Sequence, residues 1–237
     1  MDSSIKHLLI LLMLSIAAAC STVDNKAGEA DIRQKVAEAY GIQSFGQIEQ
    51  MRYTFNVQAG DKHVSRSWIW QPKTDEVIFT AGSEAQPVTY NRKKISAATP
   101  DNLRKIDGRF INDNYWLLFP IHMAWDHQAK VDEVGRQDLP IGSGKASCLV
   151  VSYPPEGGYT PGDVYDLFLD DNFRIIQWIY RKGGSKVPTR VAAWDDYRQV
   201  GPLVLSLNRP GADKNFRVWF TNVAVKTSGS ADWINAD

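Results

Sequence analysis

From Met51 the side chains alternate. In MRYTFNVQ, Tyr53, Phe55 and Val57 fall on one side and Arg52, Thr54 and Asn56 on the other. That period of two is what a half-buried strand requires. AGD at 59–61 reads as a turn, and HVSRSWIWQP returns as a second strand carrying Trp68 and Trp70. PKTD turns into EVIFTA, and QPVTYNRK follows as a fourth strand. Short links between alternating runs predict an antiparallel meander.

The period is different on either side of the meander. KAGEADIRQKVAEAYG spaces Ile32, Val36, Ala39 and Tyr40 as one face of an amphipathic helix, with Gly41 placed to end it. After the meander, TPDN predicts a helical insert: Thr99 as N-cap, Pro100 in the first helical position, and Asp101 at the positive helix end. The insert runs, with breaks, to about His127. Within FINDNYWLLFPIHMAWDH (110–127), Asp113 is expected to cap a short helix, NYWLLF, and Pro120 disfavours helix at Phe119. NYWLLF is apolar on every side and must be covered on every side.

Six more strands follow: GKASCLVVSYP, DVYDLFLD, FRIIQWIYRK, TRVAAWDDYRQV, LVLSLNR and FRVWFTNVAVK. Several are bulky on both faces; alternation puts Ile176, Trp178 and Tyr180 on one side of their strand and Ile175 and Ile179 on the other. A sheet with one wet face should alternate cleanly, and one covered on both faces need not. An open or partial barrel with a helix across its mouth satisfies this pattern, and so does a closed sandwich; the expected fold class is α+β, mostly antiparallel β, a curved sheet or incomplete β-barrel with an N-terminal helix and the helical insert acting as lid.

Length and charge narrow the function. A chain of 237 residues with 43% hydrophobic content can build one β-rich domain with a real core. Lys plus Arg equals Asp plus Glu at 27 each, so nothing in the overall charge favours nucleic acid. At the N-terminus, Lys6 precedes the apolar run Leu8–Ala19, which is too short to span a bilayer as a helix and fits a secretory signal. The run ends in AAAC, Ala17 to Cys20, which resembles the lipobox of bacterial lipoproteins. The resemblance implies cleavage before Cys20, lipidation of its sulfur and amine, and, with Ser21 next, the periplasmic face of the outer membrane. The expected organisation is a signal at 1–19, a lipidated tether at 20–26 and a single domain at 27–237. The remaining cysteine, Cys148, lies in an apolar strand with no partner for a disulfide.

Sharper chemistries find little support. GSGKAS (142–147) lacks the first glycine and the hydroxyl residue of a phosphate loop, because Leu139 and Ala146 stand there. No G-x-S-x-G is present. His122 and Asp126 would share a helix face, with His127 adjacent, which is the beginning of a zinc site but not a full ligand set. Asp163, Asp166, Asp170 and Asp171 lack the order of a calcium loop. NRKK (91–94) and RKGGSK (181–186) read as solvated strand ends. No cofactor is expected.

The order of elements, with stretches such as VYDLFLDDNFRIIQWIY, resembles the lipoprotein-carrier fold of the LolA, LolB and RseB families. The resemblance covers about residues 27 to 225. It implies an unclosed barrel around an apolar cavity, helices as its lid, and non-catalytic binding of an acyl chain, lipid or lipidated protein. The cavity residues expected on this reading are Tyr53, Phe55, Trp68, Trp70, Tyr115, Trp116, Phe119, Met123 and Trp178. A membrane-anchored monomer with a lipid or lipoprotein partner is expected. The alternatives are a metal-assisted extracytoplasmic enzyme using His122, Asp126 and His127, and an envelope scaffold without a ligand cavity.

Overall fold

A computed structural model of the chain describes residues 31–82, 86–156 and 160–237. The expected signal, tether and lipidated Cys20 lie outside the described residues. The described part has two α-helices, α1 (Ile32–Glu38) and α2 (Asp101–Trp125). Its strands are β1 (Ile48–Ala59), β2 (Lys62–Gln71), β3 (Glu76–Thr80), β4 (Val88–Asn91), β5 (Lys130–Asp138), β6 (Lys145–Ser152), β7 (Val164–Leu169), β8 (Ile175–Arg181), β9 (Arg190–Ala193), β10 (Asp195–Val200), β11 (Leu203–Pro210), β12 (Phe216–Thr227) and β13 (Ile234–Asn235).

The strands form two antiparallel sheets. The larger has the order β10-β11-β12-β1-β2-β3-β4, with β13 on β12, and the smaller is the meander β5-β6-β7-β8-β9. One bridge, Ala192 to Gly211, joins β9 to the end of β11, supported by the Ala212 amide donating to Val191 at 2.9 Å. The outer strands β4 and β5 are not paired with each other among the described residues. The fold is therefore an incomplete barrel, one of the two arrangements that the strand pattern allows. The central pair, β1 with β12, carries Tyr53, Phe55, Val218 and Phe220 into the core.

α1 begins where Asp31 accepts the Arg33 amide at 3.1 Å and buries Val36, with Tyr40 following. Gly41 ends it at φ +86°, and a Cβ there would lie 2.4 Å from the Pro202 carbonyl oxygen. Only glycine fits both the left-handed backbone and the contact.

Four expectations need correction. The insert is two helical stretches rather than several short pieces: α2 is continuous from Asp101 past Asp113 and kinks at Leu118 (φ −113°, ψ 20°), two residues before Pro120. Proline removes a hydrogen bond and kinks the helix, but the surrounding rings bury this stretch and hold both halves in place. Thr99 is not its cap; Pro100 holds that position, and the Thr99 hydroxyl accepts the Ser96 amide instead. Asp113 is not a cap either but a fully buried mid-helix residue. On β8, a bulge opposite Phe168/Leu169 shifts the alternation. Ile175 joins Trp178 in the main core, while Ile176 and Ile179 pack with Ala146, Cys148 and Phe168 on the outer face.

Two strands also differ from the sequence expectation. TRVAAWDDYRQV divides at Trp194 into β9 and β10, which belong to different sheets. KVDEVGRQD forms β5, an exposed edge strand whose charges protect it from pairing with other chains.

Candidate functional site

α2 is fastened to the large sheet along one side. Arg66 donates from Nε and Nη2 to the two carboxylate oxygens of Asp113 at 2.7 and 2.6 Å, and Trp68 Nε1 donates to the same group at 2.9 Å. Phe110 packs on Trp68 and Trp70 with ring centroids 5.5 and 5.8 Å apart. One turn earlier, Asp107 accepts from Tyr90 and from Arg92 at 3.2 and 3.0 Å. The other side of the helix meets the small sheet through aromatic rings. Trp116 sits edge-on to Trp178 at 4.5 Å, and Phe119 lies 4.9 Å from Tyr165.

A cleft of about 500 Å³ lies along that ring-lined seam. Phe55, Val57, Phe216 and Val218 form its large-sheet wall, Ile111, Trp116 and Phe119 line it from α2, and Tyr165 and Trp178 from the small sheet. Its polar lining includes Arg66, Asn112, Asp163, Lys182 and Arg190. Arg66 lies 4.9 Å over the Phe55 ring and Arg190 5.0 Å over Phe216, so cations sit beside apolar surface. The volume falls in the range of small-molecule sites, roughly 300–1,000 Å³.

A wider, more open cleft of about 980 Å³ borders the C-terminal end of α2. Phe45, Ile48, Trp70, Tyr115, His122 and Trp125 line it, with Lys73, Asp75, Arg92, Lys93, Asp126 and His127. Trp125 is 41% exposed and stands edge-on to Phe45 at 4.8 Å.

Of the nine residues named from the sequence, Phe55, Tyr115, Trp116, Phe119 and Trp178 line the narrower cleft. Trp70 and Tyr115 line the wider one. Tyr53, Trp68 and Met123 are buried in the main core. The sequence reading did not name Ile111, Tyr165, Phe216 or Val218. Phe216 and Val218 alternate with Arg217 and Trp219 on β12, and that period was the available signal.

The other candidates have separate local roles. His122 donates from Nε2 to the Asn114 side-chain oxygen at 2.6 Å and stacks on Tyr115 at 4.2 Å. Burial pushes its pKa down from 6.5 to about 3, so it is neutral at ordinary pH. Asp126 accepts the Gln128 amide, and His127 is exposed. Among the described residues no three His, Cys, Asp or Glu side chains converge in a metal-ligating group. Asp163 accepts from Tyr180 and the Gly183 amide, Asp166 pairs with Arg181, and Asp170 ties the β7–β8 turn. Cys148 is a free, buried thiol whose pKa burial raises to about 11. GSGKAS is part of a hairpin closed by Leu139 donating to the Gly144 carbonyl. No described helix is long and apolar enough to cross a membrane.

No protein-family description matches the chain, and no curated protein does. Solved structures are similar to it in fold, remotely. A LolA superfamily protein from Nitrosomonas europaea is 11% identical with a TM-score of 0.44, over 82% of this chain and 93% of that one. A DUF1329 family protein from Desulfovibrio piger is 8% identical with a TM-score of 0.44, over 86% and 96%. A domain assigned as an outer membrane lipoprotein-sorting protein from Vibrio parahaemolyticus is 10% identical with a TM-score of 0.43, over 84% and 95%.

Proposed function

We propose that this protein is a non-catalytic binding protein that holds an acyl chain in the narrower cleft. The observation that carries the reading is the convergence of Phe55, Trp116, Phe119, Trp178, Phe216 and Val218 from two sheets and a helix on one space of about 500 Å³. An alkyl chain gains about 0.8 kcal/mol for each methylene removed from water. Rings and branched side chains supply that gain without chemistry, and arginines beside the rings keep the cleft compatible with a polar end group. The seam between α2 and the small sheet is the side that can part, because Asp113 and Asp107 fasten the opposite side. Opening there would let a chain enter and leave.

The lipobox-like AAAC supports a lipid anchor at Cys20 and a place on the periplasmic face of the outer membrane. The ligand would then be a lipid or the acyl part of a lipidated protein. The test uses a Cys20→Ser form and a fluorescent fatty acid. Saturable uptake is expected, and Trp116→Ala should weaken it by about tenfold, the equivalent of one large ring's contact area. No uptake, or uptake unaffected by Trp116→Ala, contradicts the proposal.

A further inference from the structure

Arg209 is fully buried, and its nearest neighbours do not balance its charge. On β11 its guanidinium lies 3.9 Å from the centre of the Trp194 ring and 5.2 Å from that of Phe220. Nη1 donates to the Ser206 carbonyl at 2.8 Å, while Nε and Nη2 have no hydrogen-bond partner. Among the described residues no carboxylate forms an ion pair with it. Two further buried donors without partners lie alongside: Nε1 of Trp194 and Nε1 of Trp178, on rings 5.7 Å apart. Four buried donor nitrogens on three neighbouring side chains thus have no acceptor, and an unpaired buried charge is strongly unfavourable.

This group adjoins the narrower cleft. Trp178 lines the cleft and stands edge-on to Trp194, against which Arg209 packs. Val218, another lining residue, is the cross-strand partner of Arg209. We infer that the ligand of the cleft carries an acidic end group, a carboxylate or a phosphate, which passes Trp178 and is received by Arg209, Trp194 and Trp178. Resting on the acyl-chain reading, this fixes the ligand's class and direction: a single-chain acidic amphiphile, head group inward and tail toward the mouth. Guanidinium provides paired donors for such oxygens, and indole N–H adds a third direction.

The experiment compares dodecanoate, dodecyl phosphate and dodecanol by calorimetric titration of the Cys20→Ser form. At least one acid should bind about tenfold or more tighter than the alcohol, the range of a hydrogen bond to a charged group; the tighter acid identifies the head group. Arg209→Met should abolish that preference, and Arg209→Lys should retain part of it. Because Arg209→Met removes an unbalanced charge, its melting temperature should equal or exceed that of the parent. Dodecanol binding with no preference for either acid overturns the inference and leaves the cleft reading standing. A preference that survives in Arg209→Met also overturns it. Failure of all three to bind overturns both. A wild-type ratio near one overturns the inference by itself; where Arg209→Met does not fold, Arg209→Lys set against Arg66→Met and Arg190→Met carries the comparison, and a preference lost in either of the latter two but kept in Arg209→Lys overturns it.

Discussion

Replacing Asp113 by alanine tests what holds α2 inside the sheet. The carboxylate is fully buried and accepts from Arg66 twice, from Trp68 Nε1, and from Asn112 at 3.0 Å. Its removal leaves a largely buried guanidinium and a buried indole N–H without their acceptor. Breaking a buried pair from one side costs about 3–5 kcal/mol. For a domain of this size each kcal/mol lowers the melting temperature by about 2–4 °C, so Asp113→Ala should melt roughly 6–20 °C lower. Urea unfolding followed by tryptophan fluorescence measures the change directly, since Trp68 reports on the site. Arg66→Met in the same background should cost far less than it does alone, because the two changes remove one interaction. A loss below about 1 kcal/mol in Asp113→Ala, or strict additivity of the two changes, would refute the view that this pair fastens the helix.

Three further outcomes follow from the same geometry. His122 has a folded pKa of about 3 against 6.5 for the free side chain, so its contribution is present above pH 6.5 and is lost as pH falls and the unfolded chain takes up a proton. Stability should drop by about 1–3 kcal/mol between pH 6.5 and 4.5 more in the parent than in His122→Gln, read by denaturant midpoints at each pH. Gly41→Ala should cost at least about 2 kcal/mol, since it adds a clash to a left-handed backbone. Gly60→Ala, also at positive φ but with nothing within 4 Å of the added carbon, should cost about 1 kcal/mol, and equal losses would contradict the contact with Pro202. Cys148 should react with a thiol reagent at neutral pH much more slowly in the folded protein than in the urea-unfolded chain, because burial raises its pKa to about 11; equal rates would contradict this.

The fold could be read wherever the signal was local. Alternation around Tyr53 and Phe55, the turn residues between the early strands, and Gly41 after Tyr40 each specify their structure within a few residues. Distant partners hid the rest. Asp113 before an apolar run has the local form of a cap, but its partner Arg66 is 47 residues away on β2. Pro120 does mark a break, but it falls at Leu118, two residues earlier, and burial of the surrounding rings holds the two helical stretches in place. β5 shows no apolar period because every residue but Val131 and Asp132 is exposed, so it looks like a loop. The bulge on β8 reverses which isoleucine faces the core, and no composition signal marks it. The candidate cleft was legible only in part: aromatic abundance suggested rings around a space, yet Tyr53, Trp68 and Met123 fill the core. Arg209 gave no sign in LNRP, since its burial depends on Trp194 and Phe220 arriving from other strands.

The most direct test of the account is to map where an acyl chain lies. A fatty acid carrying a diazirine along its tail, photolysed with the Cys20→Ser form and located by peptide mass spectrometry, should label the segments holding Phe55, Trp116, Trp178 and Phe216. Label confined to Phe45, Trp70 and Trp125 around the wider cleft, or none above background, would contradict it.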